Sequence, residues 1–538
     1  MFTMDSLVFL AIAVAILFAA IQRGGDGART MSEKTHRAIC GAAIAAGVLV
    51  RLARLTSLPA GISAEEALVG VQAKALWQTG GFLFGQGLTT QLSQWSSETT
   101  GPLLAVLTAP FVGLFGLSKL TVRLPLALLS CAVMPAAYGL GEALSGRRAA
   151  RWMLTIAALC PIFVLEARMT CGSCAALYLL PIALCLIARG VTKPAALYPG
   201  MIVLALTAYA QDMYFFIAPA AILACAIIAL IFGRKKRHAA ISGVIGLLLC
   251  VPAMLTAFVN LTGAEGMTLL GLIRVPRLEG FEKAFMAENR SVGDKLWAVL
   301  IGGVFQVLRH ENIHQAMYTP DGMLALFMFS LPLMVLGALA LFARWTDGRR
   351  AAREKAAARA MVAATCAVTL AALVMFGSIG TLDMSGTTGL FDHSALILFD
   401  AVLMAAGLCT IERKNLKCAA AMGALMTVNF AWLAVQLFGG SYQANANVYF
   451  PGFEQMAARA AEIQAETGEK INVTGNIYPH IQPSGGAEMM FLYATDADMR
   501  TAEAERGTRY ETIYVSEDMQ PEADKIYLAR ANEISNWD

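Results

Sequence analysis

The sequence predicts a polytopic α-helical membrane protein with about 12 transmembrane helices, interfacial helices and a small C-terminal extracytoplasmic α/β domain. Three observations carry this prediction. Of 538 residues, 57% are hydrophobic and only 15% charged, where soluble domains carry about 25%. Apolar runs recur along the chain, and several reach the roughly 18 to 20 residues that a helix needs to span a bilayer. The basic residues between them fall in short clusters, as topology signals do. The formal net charge of +3 gives no electrostatic footprint for nucleic acid, and no such partner is expected.

Residues 1–37 are read as an extra N-terminal transmembrane helix followed by a basic cytoplasmic loop. The run Leu7 to Ile21 has no basic residue ahead of it, and the first arginine is Arg23. That pattern marks a retained helix with its N-terminus outside rather than a cleaved leader. Further apolar segments lie near 38–55, 121–143, 152–167, 172–188, 196–211, 213–233, 239–258, 323–343, 361–379, 394–410 and 418–438. Placing every basic cluster in the cytoplasm makes the crossings even between clusters and puts both ends outside. This requires the apolar runs 102–117 and 296–308 to lie at the outer interface or re-enter instead of crossing. The membrane domain is thus 38–438, with outer loops 56–120 and 259–322, and all the polar mass sits on one face. Localisation follows: an integral protein of the cell (plasma) membrane, with its working face and C-terminus outside.

Residues 439–538 differ in kind. Segment 451–467 reads as an amphipathic helix. Segments 470–474, 511–515 and 525–529 read as short strands rich in β-branched and aromatic residues. No glycine-rich phosphate loop or nucleotide fingerprint accompanies them. Asn260 and Asn472 stand in glycosylation sequons on this face. The 11 cysteines are scattered over apolar segments from Cys40 to Cys418. Cys171 and Cys174 have CxxC spacing but no second pair, so buried thiols are expected and no zinc site.

The stretch with most chemical content is Pro59-Ala-Gly-Ile-Ser63-Ala-Glu65-Glu66-Ala-Leu-Val-Gly70. Ser63 followed three residues later by Glu66 is a capping-box pattern and predicts a helix start. Glu66 then turns back to the backbone, and Glu65 is the carboxylate left to act as a general base at the water–lipid boundary. A surface helix N-terminus that accepts acids for its dipole is the plainer reading of the same residues. Other charged groups share this face at segment ends: Glu98, Arg123, Arg168, Asp212, Asp392 and His393. Loop 259–322 adds Arg274, Arg277, Arg309, His310 and His314. Each alone reads as an interface marker whose charge reaches for water; together they mix acids that activate a nucleophile with arginines that hold a phosphate. His310 and His314 are four apart, as a metal site on a helix would be, but no Glu motif goes with them. No cofactor is firmly implied, and a divalent metal is not supported.

Several segments in order resemble one family. They are the Pro59 to Ala73 stretch with its acid-Glu pair, Gly101 to Leu117, Arg123-Leu-Pro125, Gly146-Arg-Arg-Ala-Ala150, and Pro161-x-Phe163 running to Arg168. This set resembles the GT-C membrane glycosyltransferases, and within them the protein O-mannosyltransferases and lipid A aminoarabinose transferases (family 39/83-like). The match covers residues 38–190, and Pro320-Asp-Gly-Met and Asp392-His393 fall at further positions that bacterial members mark. The resemblance implies an enzyme that moves a sugar from a polyprenyl-phosphate carrier to a lipid, glycan or protein acceptor of the cell envelope, by inversion. It implies that Glu65 and Glu66 are catalytic, and that Arg123 and Arg168 bind the donor phosphate. Glu98, Asp212, Arg309, His310 and His393 are possible substrate-binding residues. Two positions depart from the pattern. Glu65 replaces the usual Asp, and the residues after Arg168 lack the acid that some members carry. These departures favour the alternative, a catalytically silent GT-C-like scaffold or binding protein.

Overall fold

Among the described residues, the apolar segments set aside for the membrane are mainly helical, because a chain in hydrocarbon must satisfy its own backbone groups. The computed structural model describes residues 4–22, 31–83, 87–93, 99–170, 174–211, 213–277, 293, 324–346, 353–376, 394–439, 452–474, 486–513, 519–522 and 525–529. Its helices are α1 (Met4–Gln22), α2 (Glu33–Leu52), α3 (Ala64–Thr79), α4 (Leu103–Phe115), α5 (Lys119–Ser145) and α6 (Arg147–Leu159). Then come α7 (Pro161–Leu165) with a 3-10 turn at Glu166–Arg168, α8 (Cys174–Gly190), α9 (Leu197–Leu206), α10 (Tyr214–Phe232) and α11 (Lys236–Thr262). After these stand α12 (Ser330–Thr346), α13 (Arg353–Phe376), α14 (Ser394–Lys414) and α15 (Leu416–Phe438). The C-terminal unit adds α16 (Phe453–Thr467), α17 (Gly486–Ala494) and α18 (Ala502–Glu505).

Among the described residues, seven helices are long and apolar enough to cross a membrane, or eight if α6 and α7, bent by 58° at their junction, are one span. Pro161 accounts for that bend, since it offers no N–H to the preceding turn. Helix α4 has 13 residues, about 20 Å of rise, short of the roughly 30 Å hydrocarbon core. The segment 296–308 lies outside the described residues. Helices α12 and α14 touch backbone to backbone: a Cβ on Gly337 would lie 1.9 Å from the carbonyl oxygen of Leu403. Small residues allow such close approach between membrane helices.

The helix ends sort into two faces. On one, arginines pair with acids between neighbouring helices: Arg147 with Glu33 at 2.6 Å, Arg148 with Glu412 at 3.6 Å, Arg234 with Glu354 at 3.7 Å. Arg151 also pairs with Glu412. On the other face, loops meet. Strand β1 (Leu88–Thr89) runs parallel to β5 (Ile273–Val275), which forms a hairpin with β4 (Met267–Leu269). A two-stranded ribbon, β2 (Leu92–Ser93) with β3 (Thr99–Thr100), lies in the same loop as β1. Asn260 is buried and donates to the carbonyls of Thr256 and Pro276, so this sequon is closed to a glycan; Asn472 is buried as well.

Over the same face sits the C-terminal unit. Its sheet is parallel, in the order β7 (Tyr510–Ile513), β6 (Ile471–Thr474), β8 (Ile526–Leu528), and β6 is buried at every position. Phe491 and Tyr493 of α17 share one apolar cluster with Leu68, Val71 and Ala75 of α3. Polar contacts lock the docking: Lys74 Nζ donates to the backbone carbonyls of Asp496 and Ala497 at 2.8 and 2.7 Å, and Lys119 pairs with Glu454 at 2.6 Å.

Candidate active site at the end of the helix bundle

The chain leaves α2 at Leu52 and re-enters a helix at Ala64. The carbonyls between have no helical partner, yet much of this connection is buried, and a buried backbone carbonyl needs a donor. Two arginines, Arg123 and Arg168, supply donors there, and a third, Arg51, serves adjoining helix ends. Arg123, from α5, is 1% exposed. Its Nη1 donates to Leu55 and Pro59 carbonyls at 3.0 Å each, and its Nη2 to the Gly61 carbonyl at 2.8 Å. Arg168, also 1% exposed, donates to the carbonyls of Val50, Arg51, Arg54 and Leu58. Arg51 lies fully inside and donates to Gly47, Ala157, Ala158 and Phe163 carbonyls at 2.7–3.0 Å. Arg168 thus closes the C-terminal end of α2, and Arg51 that of α6, where carbonyls lack intrahelical partners and favour a cation.

Glu66 is the hub of the same network. The capping box is present: Glu66 N–H donates to Ser63 Oγ at 3.2 Å, and Ser63 N–H to Glu66 Oε2 at 3.3 Å. Arg123 meets the carboxylate bidentately, Nε to Oε1 and Nη2 to Oε2, both at 2.8 Å. The N–H of Thr170 adds a bond to Oε1 at 3.3 Å. One carboxylate thereby ties the start of α3 to α5 and to the chain after Arg168. Glu65 stands beside it on the first turn of α3, half-buried where Glu66 is 1% exposed. The C-terminal unit closes in from above: Tyr493 lies 3.3 Å from where a Cβ on Gly70 would sit. Burial, aided by the Glu454 and Glu66 carboxylates, pushes the Tyr493 phenol well up from its ordinary value.

Of the residues read from the sequence, the structure brings Glu65, Glu66, Arg123 and Arg168 to one end of the bundle. Two of these side chains are turned inward. The carrier phosphate expected at Arg123 and Arg168 would meet arginines turned inward: all five N–H groups of Arg123 go to carbonyls and Glu66, and the two terminal nitrogens of Arg168 face carbonyls. The non-helical 53–63 connection is the physical reason, since its carbonyls claim the nearest cations. Glu98, Asp212, Arg309, His310 and His393 lie outside the described residues, as does Asp392. Among the described residues no group of three or more His, Cys, Asp or Glu is placed to hold a metal ion. Sequence reading passed over Arg51, which looks like an interface marker after an apolar run. It also passed over Glu166, a buried carboxylate that accepts the Cys174 thiol at 3.0 Å.

No protein-family model matches the chain, and no curated protein matches it in sequence. Solved structures of similar layout do exist, and those of an archaeal oligosaccharyltransferase and of ArnT are among them. The oligosaccharyltransferase of Archaeoglobus fulgidus, solved with Zn and sulfate, is 12% identical with a TM-score of 0.49, over 88% of this chain and 62% of that one. The chain therefore spans less than two thirds of that enzyme's length. The oligosaccharyltransferase AglB from Archaeoglobus fulgidus, with an inhibitory peptide and a dolichol-phosphate, gives 0.48 at 12% identity, over 86% and 63% of the two chains. ArnT from Cupriavidus metallidurans bound to undecaprenyl phosphate gives 0.44 at 13% identity, over 88% and 89%. At TM-scores under 0.5 these likenesses assign no activity, donor or acceptor to this chain.

Proposed function

We propose that this protein is a glycosyltransferase that moves a sugar from a polyprenyl-phosphate carrier to an envelope acceptor at the face where α3 begins, which we take as the outer face of the cell membrane. The donor class rests on the ordered sequence resemblance across residues 38–190. The observation that carries the mechanism is the fixing of Glu66 by Ser63, Arg123 and Thr170. It makes the first turn of α3 rigid and leaves its neighbour Glu65 half-buried at the bundle end. A base that is preorganised in this way loses little in reaching the reactive geometry.

Glu65 takes the proton of an acceptor hydroxyl or amine. That oxygen or nitrogen attacks the anomeric carbon, the carbon–oxygen bond to phosphate breaks, and polyprenyl phosphate leaves with its electron pair. A single displacement of this kind inverts the anomeric centre. Arg123 and Arg168 act as positioning residues here, holding the 50–61 backbone that carries α3. The catalytically silent scaffold is the second reading, and the inward saturation of Arg123 favours it.

The test is turnover of a polyprenyl-phosphate sugar by protein reconstituted in vesicles, with release of polyprenyl phosphate as readout. Wild type should turn over, and Glu65→Gln should lose at least about 100-fold while melting at the wild-type temperature. Unchanged turnover in Glu65→Gln overturns the base; an inert wild type overturns the transferase in favour of the scaffold.

A further inference from the structure

The face opposite the proposed site carries a furrow that sugar transfer does not use. Helices α2 and α15 form its walls, α6 its floor, and it encloses about 420 Å³. The space exists because the walls are small: Ala42, Ala43 and Ala46 on one side, Ala419, Ala420 and Gly423 on the other. Along α15 the furrow runs from Leu416 to Phe430, about 21 Å at the helical rise. That is one leaflet of a roughly 30 Å hydrocarbon core together with its headgroup margin. Over that length, about 420 Å³ leaves a cross-section of about 20 Å², too little for a helix about 10 Å across and enough for an extended hydrocarbon chain.

Its shallow end is built from buried charge. Arg151 and Glu412 pair there, each 3% exposed, and the Trp152 indole donates to Glu412 at 2.8 Å. Around that end, exposed cations outnumber acids. Lys34, Arg37, Arg147, Lys414 and Lys417 are exposed, and Arg148 is about a third exposed, 3.6 Å from Glu412. Basic pockets between membrane helices at the headgroup level select anionic lipids. We propose that the furrow binds one anionic phospholipid of that leaflet, an acyl chain lying along Trp152, Thr155 and Leu159 and the phosphate resting beside Arg148 and Lys417.

The test is native mass spectrometry of the full chain released from vesicles containing phosphatidylglycerol, phosphatidylcholine and polyprenyl phosphate in equal amounts. One phosphatidylglycerol should be retained in preference to phosphatidylcholine. Retention should fall about thirtyfold in Arg148→Ala/Lys417→Ala, from two lost cation–headgroup contacts. Gly423→Phe should also abolish it, because a Cβ at Gly423 already lies 3.6 Å from Trp152 and a larger group fills the furrow. Ala420→Phe, on the lipid-exposed wall, repeats that test if Gly423→Phe does not fold. Equal retention of the two phospholipids, preferred retention of polyprenyl phosphate, or full retention by the folded furrow-filling variant would each overturn the proposal.

Discussion

Glu66 of α3 and Arg123 of α5 form a bidentate pair, with both contacts at 2.8 Å and both side chains 1% exposed. The pair ties the helix that begins the site to a membrane helix 57 residues later in the chain. Removing one partner leaves a charge buried without its counter-ion, which costs about 3–5 kcal/mol. Arg123→Leu and Glu66→Gln should therefore each lower stability by an amount in that range, measured as detergent-solubilised thermal unfolding. Because the two act on one pair, the double variant should cost clearly less than the sum. A fully additive double variant would mean that the pair does not act as a unit.

Arg168 separates a phosphate ligand from a backbone clamp. As a clamp it serves four carbonyls, and a lysine cannot reproduce the fork of a guanidinium. Arg168→Lys should cost about 1–3 kcal/mol of stability for each carbonyl left unserved, with KM for the donor little changed. A phosphate ligand gives the opposite pattern, a raised donor KM at wild-type melting temperature.

The carboxylate chain length at Glu65 is a direct test of the base. The first turn of α3 is fixed by the Glu66 network, so the backbone does not move to rescue a shorter side chain. Glu65→Asp withdraws the carboxylate by about 1 Å and should cost about 100-fold in turnover, with unfolding unchanged. Equal turnover would place the proton acceptor elsewhere.

Much of this was written locally in the chain. The membrane helices follow from apolar length, because the bilayer imposes one dimension on every span. The Ser63–Glu66 capping box follows from a spacing of three residues. The inward turn of Arg123 and Arg168 does not, since their partners lie 57 to 118 residues away and nothing local distinguishes a buried arginine at a helix end from one reaching for water. Arg51 was hidden for the same reason: its bonds to Ala157 and Ala158 span more than 100 residues. The seating of the C-terminal unit on α3 was also invisible, because Tyr493 and Gly70 carry no shared motif.

That seating makes Gly70 sensitive. A Cβ there would come within 2.8 Å of Val122, 3.0 Å of Leu117 and 3.3 Å of Tyr493. Gly70→Val should push α17 off α3, and overpacking of this kind costs about 1–3 kcal/mol. Limited proteolysis should then cut within 453–528 well before the membrane helices unfold. A wild-type digestion pattern would show that the contact is not needed for docking.

The C-terminal unit should also carry its own pH response through Glu488. This carboxyl, at the start of α17, is 1% exposed. Burial raises its pKa above the ordinary 4.5, opposed by Arg506 nearby and by the Tyr510 hydroxyl that donates to it at 3.1 Å. With the folded value above the unfolded one, the folded form binds more protons between the two values. Stability contributed by the neutral carboxyl is thus fully present below 4.5 and is lost as pH rises through the raised folded value. Protease protection of the 453–528 unit should decline over that window in the wild type. Glu488→Gln, which keeps the shape and cannot ionise, should flatten the decline and hold protection at the high-pH side. A protection profile identical in the two proteins would rule out Glu488 as the titrating group.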